Sequence, residues 1–371
     1  MAVLVLQVVH DTYETPVSGR EWRNESLRQA LAQLGDLRQL AATASAAKDR
    51  PSPETLKRLP RPDLVVIEGI GLMDVAEACR AVWPGVAMVI DFHNVESHLL
   101  QQNDRARLPR ILRPLAGALF RGRWRAAEAL DRRALGLADR VWTCSDEDRR
   151  LASALCGDHG GSRAALSVIP NIVPGWCEAW DAPVNRPFAA PEILFIGHLG
   201  YAPNKRAARR LARRVLPDLR RRHPSARLTI AGRSPNARLR RDLATCPNVT
   251  LRADPADLAD LYRQADLMIV PLTEGGGSRI KVLEALALGC PVIASAKAVE
   301  GLGLVPDRHV LLAETAPEIA AATDRLMQDP DLRAALIAQG RDWVMSRHGR
   351  AYLDAAVAAD MTDLLGASPR R

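Results

Sequence analysis

The chain reads as an α/β protein built from two doubly wound, parallel-sheet domains. Three observations carry that reading. Short runs rich in Val, Ile and Leu alternate with helical stretches along the 371 residues, and such continuous apolar runs mark strands covered by helices on both faces. The rhythm occurs twice, on either side of a proline-rich break at 171–192. The length, with 47% apolar and 25% charged residues, leaves room for two separate cores.

In chain order, the first set of strands is VLVLQVV (3–9), DLVVIEG (63–69), VAMVIDF (86–92), DRVWTCS (139–145) and LSVIPN (166–171). The second is EILFIGH (192–198), ARLTIAG (226–232), NVTLRA (248–253), ADLMIVPL (265–272), CPVIAS (290–295) and HVLLA (309–313). The break between them holds Pro174, Pro183, Pro187 and Pro191 and no usable periodicity, the composition of a linker. The expected organisation is a first domain over 1–172, a linker over 173–190, a second domain over 191–349, and a C-terminal helix over 350–371 that can cross back to the first domain. Ligands of open parallel sheets sit at the carboxyl ends of the strands, so two such sheets facing each other are expected to enclose a cleft.

Composition narrows the function classes. No apolar run reaches the roughly 18 residues of a spanning helix. The opening MAVLVLQVVHD lacks a basic region and a small-residue cleavage site, so it reads as a buried first strand rather than a signal peptide. Six cysteines (Cys79, Cys144, Cys156, Cys177, Cys246, Cys290) lie far apart with no C-x-x-C pair. They read as reduced thiols of a cytoplasmic protein, not as a disulfide framework or a zinc site.

The formal net charge of +8 is concentrated in two blocks, nine arginines from Arg105 to Arg133 and nine lysines or arginines from Lys205 to Arg222. Such blocks are either solvated helix faces or attractors of phosphate, whether nucleotide, lipid surface or nucleic acid. Aromatic residues make up only 4% of the chain, too few for base-stacking platforms, and no groove-reading motif is present, so nucleic acid is not an expected partner.

The stretch PLTEGGGSRIKVLEALALGCPVIAS, 271–295, raises the sharpest question. Three consecutive glycines cost backbone entropy, yet they stand between a strand and a helix closed by Gly289. A glycine-rich turn entering a helix offers N–H groups and the positive end of the helix dipole, an anion site suited to phosphate or diphosphate. Ser278, Lys281 and Glu284 recur at i, i+3 and i+6 and share one side, while Ile280, Leu283 and Ala287 face the sheet. At about 1.5 Å rise per residue, Glu284 lies roughly 9 Å beyond Ser278. That depth suits a ribose diol whose phosphates are held by the glycines and Lys281. The alternative is a surface pair of Lys281 and Glu284 beside an ordinary tight turn. Neither a Walker loop nor a G-x-G-x-x-G fingerprint is matched.

The same stretch closely resembles the nucleotide-sugar motif of glycosyltransferase family four, retaining enzymes with the GT-B fold, in the branch that reads G-G-G-[ST]-R-x-K-x-L-E-A. FIGHLGYAPNKRAARRLARRVLPDLRRRHPSARLTIAGRSP (195–235) is similar to the opening of that family's second domain, and DFHNVES (91–97) and VIPNIVP (168–174) resemble its first-domain landmarks. The resemblance spans most of residues 60–345 and implies two facing Rossmann-like domains. It also implies that Glu284, the second glutamate of an E-x(7)-E pattern, binds ribose, and that Gly275, Gly276, Gly277, Ser278, Arg279 and Lys281 hold the diphosphate and sugar. His93 matches a histidine near the transferred sugar. Two departures stand out. Gly276 occupies the place of the first glutamate, with Glu274 out of register, and His198 replaces an arginine that often follows the glycine of FIG. The matching downstream lysine falls on Lys205, so diphosphate charge is expected to be met mainly by Arg279 and Lys281, with Lys205 or Arg206 in reserve.

The resemblance implies transfer of a sugar from a nucleoside diphosphate sugar to an acceptor hydroxyl with retention, in polysaccharide or glycoconjugate biosynthesis, the leaving phosphate itself taking the acceptor's proton. Preorganised amides and cations would stabilise the charge developing on that phosphate. No cofactor and no catalytic metal are expected. The alternative is a catalytically silent GT-B scaffold or partner subunit, raised by Gly276 and His198.

The acceptor is expected against the first domain, where HDTYETPVSGREWRN reads as a loop after the first strand with Gly19 and Arg20 as acceptor-side candidates. Arg110, Arg113, Arg121, Arg123 and Arg125 flank an apolar stripe of Ile111, Leu115 and Leu119, with Trp124 near its end and Pro114 marking a helix start. Such a segment either lies on an anionic membrane at the inner face of the cell, with a sugar or lipid-linked acceptor, or packs by its stripe with its basic side solvated.

Overall fold

The structure, a computed structural model, describes residues 3–11, 19–42, 50–156, 164–178, 190–275 and 279–367. The chain divides into two compact units. One runs to Ile172 and includes the C-terminal helix Arg350–Ala367, and the other comprises Val173–Gly275 and Arg279–Gly349.

The first unit carries a six-stranded parallel sheet of β1 (Val3–Val9), β2 (Gly35–Ala41), β3 (Leu64–Glu68), β4 (Ala87–Phe92), β5 (Arg140–Thr143) and β6 (Ala165–Val168), in the order β2-β1-β3-β4-β5-β6. Every residue of β3 and β4 is buried, as continuous apolar runs require. The helix Gly19–Leu31 begins where the sequence suggested a loop, so Gly19 and Arg20 form its first turn. Leu27 and Leu31 from that helix, and Leu353, Val357, Met361 and Leu364 from Arg350–Ala367, share one core with Val5 and Trp142. Asp360 ties the C-terminal helix to the sheet by accepting from Trp142 Nε1 at 2.7 Å and from Arg140 at 2.9 Å.

Strand β2 is the element the sequence did not announce. Its GDLRQLA is polar and only partly buried because it pairs on one side alone, with β1. A Cβ on Gly35 would meet the Val3 carbonyl at 2.2 Å, so glycine is what lets this edge start close to β1.

The second unit carries β7 (Glu192–Ile196), β8 (Arg227–Gly232), β9 (Val249–Ala253), β10 (Leu267–Val270), β11 (Val292–Ala294) and β12 (Leu311–Leu312), in the order β12-β11-β10-β7-β8-β9, all parallel. The order reverses between β7 and β10, and in the first sheet between β1 and β3. At such points the connections leave to opposite faces and open a crevice at the strands' carboxyl ends. Val173 and Cys177, the latter in the short helix Gly175–Glu178, are fully packed into the second unit's core. The rest of the proline-rich break, 179–189, lies outside the described residues.

The basic segment of the first unit folds as a 3-10 turn, Arg110–Leu115 with Pro114 inside it, followed by the helices Ala116–Leu119 and Arg121–Leu137. Its apolar stripe does not pack inward. Ile111, Leu115 and Leu119 are 84%, 54% and 62% exposed, which removes the reading of a stripe buried beneath a solvated basic face.

Candidate functional site

In the second unit the reversal of strand order brings the end of β7 beside the end of β10. Gly197 and His198 follow β7, and Pro271–Gly275 follow β10. Gly232, closing β8 at φ 148°, allows the Gly197 carbonyl to approach to where a Cβ would stand 1.8 Å away. Gly275 has φ 95°, and a Cβ on it would meet Tyr201 Oη and Pro203 at 3.0 Å, so the first glycine of the triplet is required both by conformation and by space. Gly276, Gly277 and Ser278 lie outside the described residues.

The helix that follows, Ile280–Ala287, departs from the amphipathic pattern expected of it. Val282 to Ala287 are all buried: the helix Pro330–His348 covers Leu286 and Ala287, where Arg341 donates to the Ala287 carbonyl and a Cβ on Gly340 would meet Leu286 at 2.9 Å, and Glu284 lies against Tyr262. Arg279 caps the helix in the left-handed conformation, φ 49°, a strained choice for a residue with a side chain. Its guanidinium is nearly buried, donating to the Gly275 carbonyl at 3.1 Å and facing Glu300 at 3.6 Å.

Lys281 and Glu284 do not form a surface pair. Lys281 Nζ donates to Asn204 Oδ1 at 2.7 Å and stands 4.9 Å from the centre of the Phe195 ring, while Glu284, 6% exposed, accepts from the Tyr262 hydroxyl at 2.9 Å. Burial and the neighbouring Arg279 bring the Lys281 pKa down to about 7. Burial raises that of Glu284 to about 7, against the hydrogen bond from Tyr262 and the charge of Lys281. A Cβ on Gly197 would stand 2.7 Å from Lys281 Nζ and 2.9 Å from Asn204 Cγ, so Gly197 makes room for the lysine. Lys205 is half-buried in the first turn of the helix Ala202–Arg210. Arg206 pairs with Glu274, which takes both out of reserve for a ligand in this state. His198 is exposed and contributes its carbonyl to Asn204 Nδ2 at 3.0 Å.

Gly197, Asn204 and Tyr262 were absent from the sequence-level site. Asn204 stands in the first turn of the helix that follows the first strand of the second sheet, a position that could have marked it, whereas nothing local marks Tyr262.

The first unit holds His93 at the end of β4 over a buried polar cluster. Its Nε2 lies 3.1 Å from Asn24 Oδ1, 3.2 Å from Asp91 Oδ2 and 3.7 Å from Glu68 Oε2. Arg23 donates to both oxygens of Asp91, at 2.5 and 2.7 Å, and to the Ile169 carbonyl at 2.9 Å. Gln7 donates to Glu68 at 2.7 Å. Burial alone would lower the His93 pKa, but the hydrogen bonds and charges of Asp91 and Glu68 outweigh it and carry it up to about 9. Glu68, Asp91 and His93 have the composition of metal ligands, and the Arg23 guanidinium already sits on both Asp91 oxygens. Gly19 and Arg20 open the helix that also supplies Arg23 and Asn24.

Comparison with known proteins agrees with this architecture. Residues 190–329 match the family described as glycosyl transferases group 1. The chain is 30% identical over 205 residues to a glycogen synthase of Mycobacterium tuberculosis, covering 52% of this chain and 46% of the relative. It is 31% identical over 178 residues to a phosphatidyl-myo-inositol mannosyltransferase of Mycolicibacterium smegmatis, covering 44% of each. It thus spans about half the length of the curated relatives it matches. Among solved structures, a sucrose-phosphate synthase from Thermosynechococcus elongatus superposes with a TM-score of 0.70 at 18% identity, covering 99% of this chain and 100% of that one. Anabaena HepE in complex with UDP and glucose superposes with a TM-score of 0.66 at 13% identity, covering 97% and 99%. The chain therefore has the two-domain, Rossmann-like GT-B fold, and residues 190–329 of its second unit match the glycosyl transferases group 1 family.

Proposed function

We propose that the protein is a retaining glycosyltransferase of family four that moves a sugar from a nucleoside diphosphate sugar to an acceptor hydroxyl in polysaccharide or glycoconjugate biosynthesis. The observation that supports this reading is the pairing, at one switch point, of a glycine-hinged helix start with a partly buried lysine and a buried carboxylate. Lys281 meets the diphosphate and stabilises the charge that develops on it as the glycosidic bond breaks. Glu284, braced by Tyr262, accepts from the ribose hydroxyls. Gly275 and Arg279 form the ends of the phosphate loop, with Gly276, Gly277 and Ser278 between them, and Lys205 flanks it. The leaving phosphate takes the acceptor's proton, so no protein nucleophile, cofactor or metal is required of the site. His93, held cationic, donates a hydrogen bond to the transferred sugar.

Thermal denaturation with UDP, GDP and dTDP tests the donor assignment. A ligand held by the native state at a hundredfold excess over its Kd adds about 2.7 kcal/mol of stability, so at least one of the three is expected to raise the melting temperature. No shift with any of them would overturn the assignment. Binding without transfer or slow hydrolysis would point instead to a silent scaffold.

The acceptor side is proposed to meet an anionic membrane through the exposed stripe of Ile111, Leu115 and Leu119. Arg121 and Arg125 are exposed beside it and have no ion-pair partner among the described residues, while Arg107 and Arg123 are tied to Asp104. Among the described residues no helix is long and apolar enough to cross a membrane, so contact would be peripheral. Each basic residue near an anionic surface contributes about 1 kcal/mol. Replacing Arg113, Arg121 and Arg125 by glutamate is expected to abolish flotation with phosphatidylserine-containing liposomes and to leave nucleotide binding intact. Unchanged flotation would return the segment to a solvated role.

A further inference from the structure

We propose that Asn204 is a positioning residue for the diphosphate: its side-chain amide holds the Lys281 ammonium at the end of β7 and, being uncharged, leaves the ammonium's charge for the ligand. The identity of the ligand rests on the glycosyltransferase reading, whereas the hold on Lys281 does not. Asn204 is 7% exposed in the first turn of the helix Ala202–Arg210. Its Nδ2 donates to the His198 carbonyl at 3.0 Å and its Oδ1 accepts from Lys281 Nζ at 2.7 Å. A carbonyl only accepts and an ammonium only donates, so turning the amide over would lose both bonds. The His198 carbonyl is itself fixed, because it also accepts from Tyr201 N at 3.1 Å, and the turn is tied to the next strand by Leu199 N, which donates to the Arg233 carbonyl at 2.8 Å. Gly197 leaves room for the pair, since a Cβ there would stand 2.7 Å from Lys281 Nζ and 2.9 Å from Asn204 Cγ.

The neutrality of this partner is what makes the arrangement useful. A carboxylate in place of the Asn204 amide would pair with Lys281 and compete with any anion for it. An amide oxygen and the face of the Phe195 ring, 4.9 Å from Nζ, orient the ammonium without cancelling its charge. The charged groups that act on Lys281 are Arg279, just before its helix, which adds to burial in lowering its pKa to about 7, and Glu284, one turn further on, which opposes them. Glu284 is engaged by the Tyr262 hydroxyl at 2.9 Å rather than by the ammonium. Lysine carries a long flexible stem, and fixing it before the ligand arrives removes that ordering cost from binding.

The test uses Asn204→Ala and Asn204→Asp in the full chain, with two readouts. The first is the titration of Lys281, followed by NMR through its ¹³Cε signal and assigned with Lys281→Ala; the chain has only four other lysines, Lys48, Lys57, Lys205 and Lys297. Removing the acceptor should lower the Lys281 pKa and supplying a carboxylate should raise it, so the order Ala below Asn below Asp is expected. The second is affinity for UDP, GDP and the free nucleosides. Asn204→Ala is expected to weaken whichever diphosphate binds by about 3- to 10-fold, the worth of one hydrogen bond that orients its cation, and to leave uridine or guanosine unchanged. Asn204→Asp should cost more than about 10-fold, because its charge both occupies the ammonium and repels the diphosphate; the fuller protonation of Lys281 in that variant returns at most about twofold at pH 7. In a Lys281→Ala background Asn204→Ala should have no further effect, since the amide acts through the lysine. A Lys281 titration at the same pH in all three proteins, an equal loss for nucleoside and diphosphate, or a loss that persists without Lys281 would overturn the proposal. Should neither UDP nor GDP bind the wild type, the donor reading fails, while the Lys281 titration and affinity for inorganic diphosphate still decide whether Asn204 holds the ammonium for an anion.

Discussion

Lys281→Ala is expected to weaken binding of the cognate nucleoside diphosphate by about 1.5–3 kcal/mol, the worth of a charge-assisted hydrogen bond, while binding of the free nucleoside changes little. The ammonium is already placed. Asn204 and the Phe195 ring hold it at the switch point, and Gly197 leaves it space. An equal loss for both ligands would remove Lys281 from the phosphate site.

The pH dependence sharpens the test. With a pKa of about 7, Lys281 is about half protonated at pH 7 in the free protein, and a bound diphosphate draws a proton onto it. Glu284, also near 7, must lose its proton to accept from ribose. Lys281 thus favours binding as pH falls and Glu284 as pH rises, so the wild type should show a shallow optimum close to pH 7. With Lys281→Ala, affinity should rise with pH through that window, and with Glu284→Gln it should fall. Calorimetry in buffers of different ionisation enthalpy reads the same balance as proton uptake or release.

The fold was legible because its strands are continuous apolar runs, a signal strong enough to survive without knowledge of pairing. Strand β2 escaped it because an edge strand need not be apolar: Asp36, Arg38 and Gln39 can face water where only β1 pairs. The start of the helix at Gly19 was hidden for a similar reason. Nothing local marks Arg23, and only the folded chain places it on Asp91, 68 residues away.

The candidate site was legible where chemistry is local. A glycine triplet before a helix bearing Lys281 and Glu284 suggests the proposed anion site from one short segment. Its supports are not local. Asn204 is 77 residues from Lys281, and Tyr262 is 22 from Glu284 in a different element. The surface pair of Lys281 and Glu284 that the sequence left open is closed by the fold, which buries Glu284 against Tyr262 from another element. The same limit applied to Ile111, Leu115 and Leu119, whose spacing suggested a packed stripe or a membrane face and which the fold leaves exposed.

The central claim is that the helix Ile280–Ala287 binds a nucleoside diphosphate with its ribose on Glu284. Glu284→Gln keeps the shape and removes the charged acceptor, so binding of the nucleoside diphosphate should weaken by roughly 1–3 kcal/mol. For the 2′,3′-dideoxy analogue, which lacks the hydroxyls, the penalty should largely vanish. Isothermal titration of the two proteins with the two ligands measures this difference directly: a loss confined to the parent nucleotide is the expected result, and a loss equally large for the dideoxy analogue would contradict the ribose assignment and the site built on it.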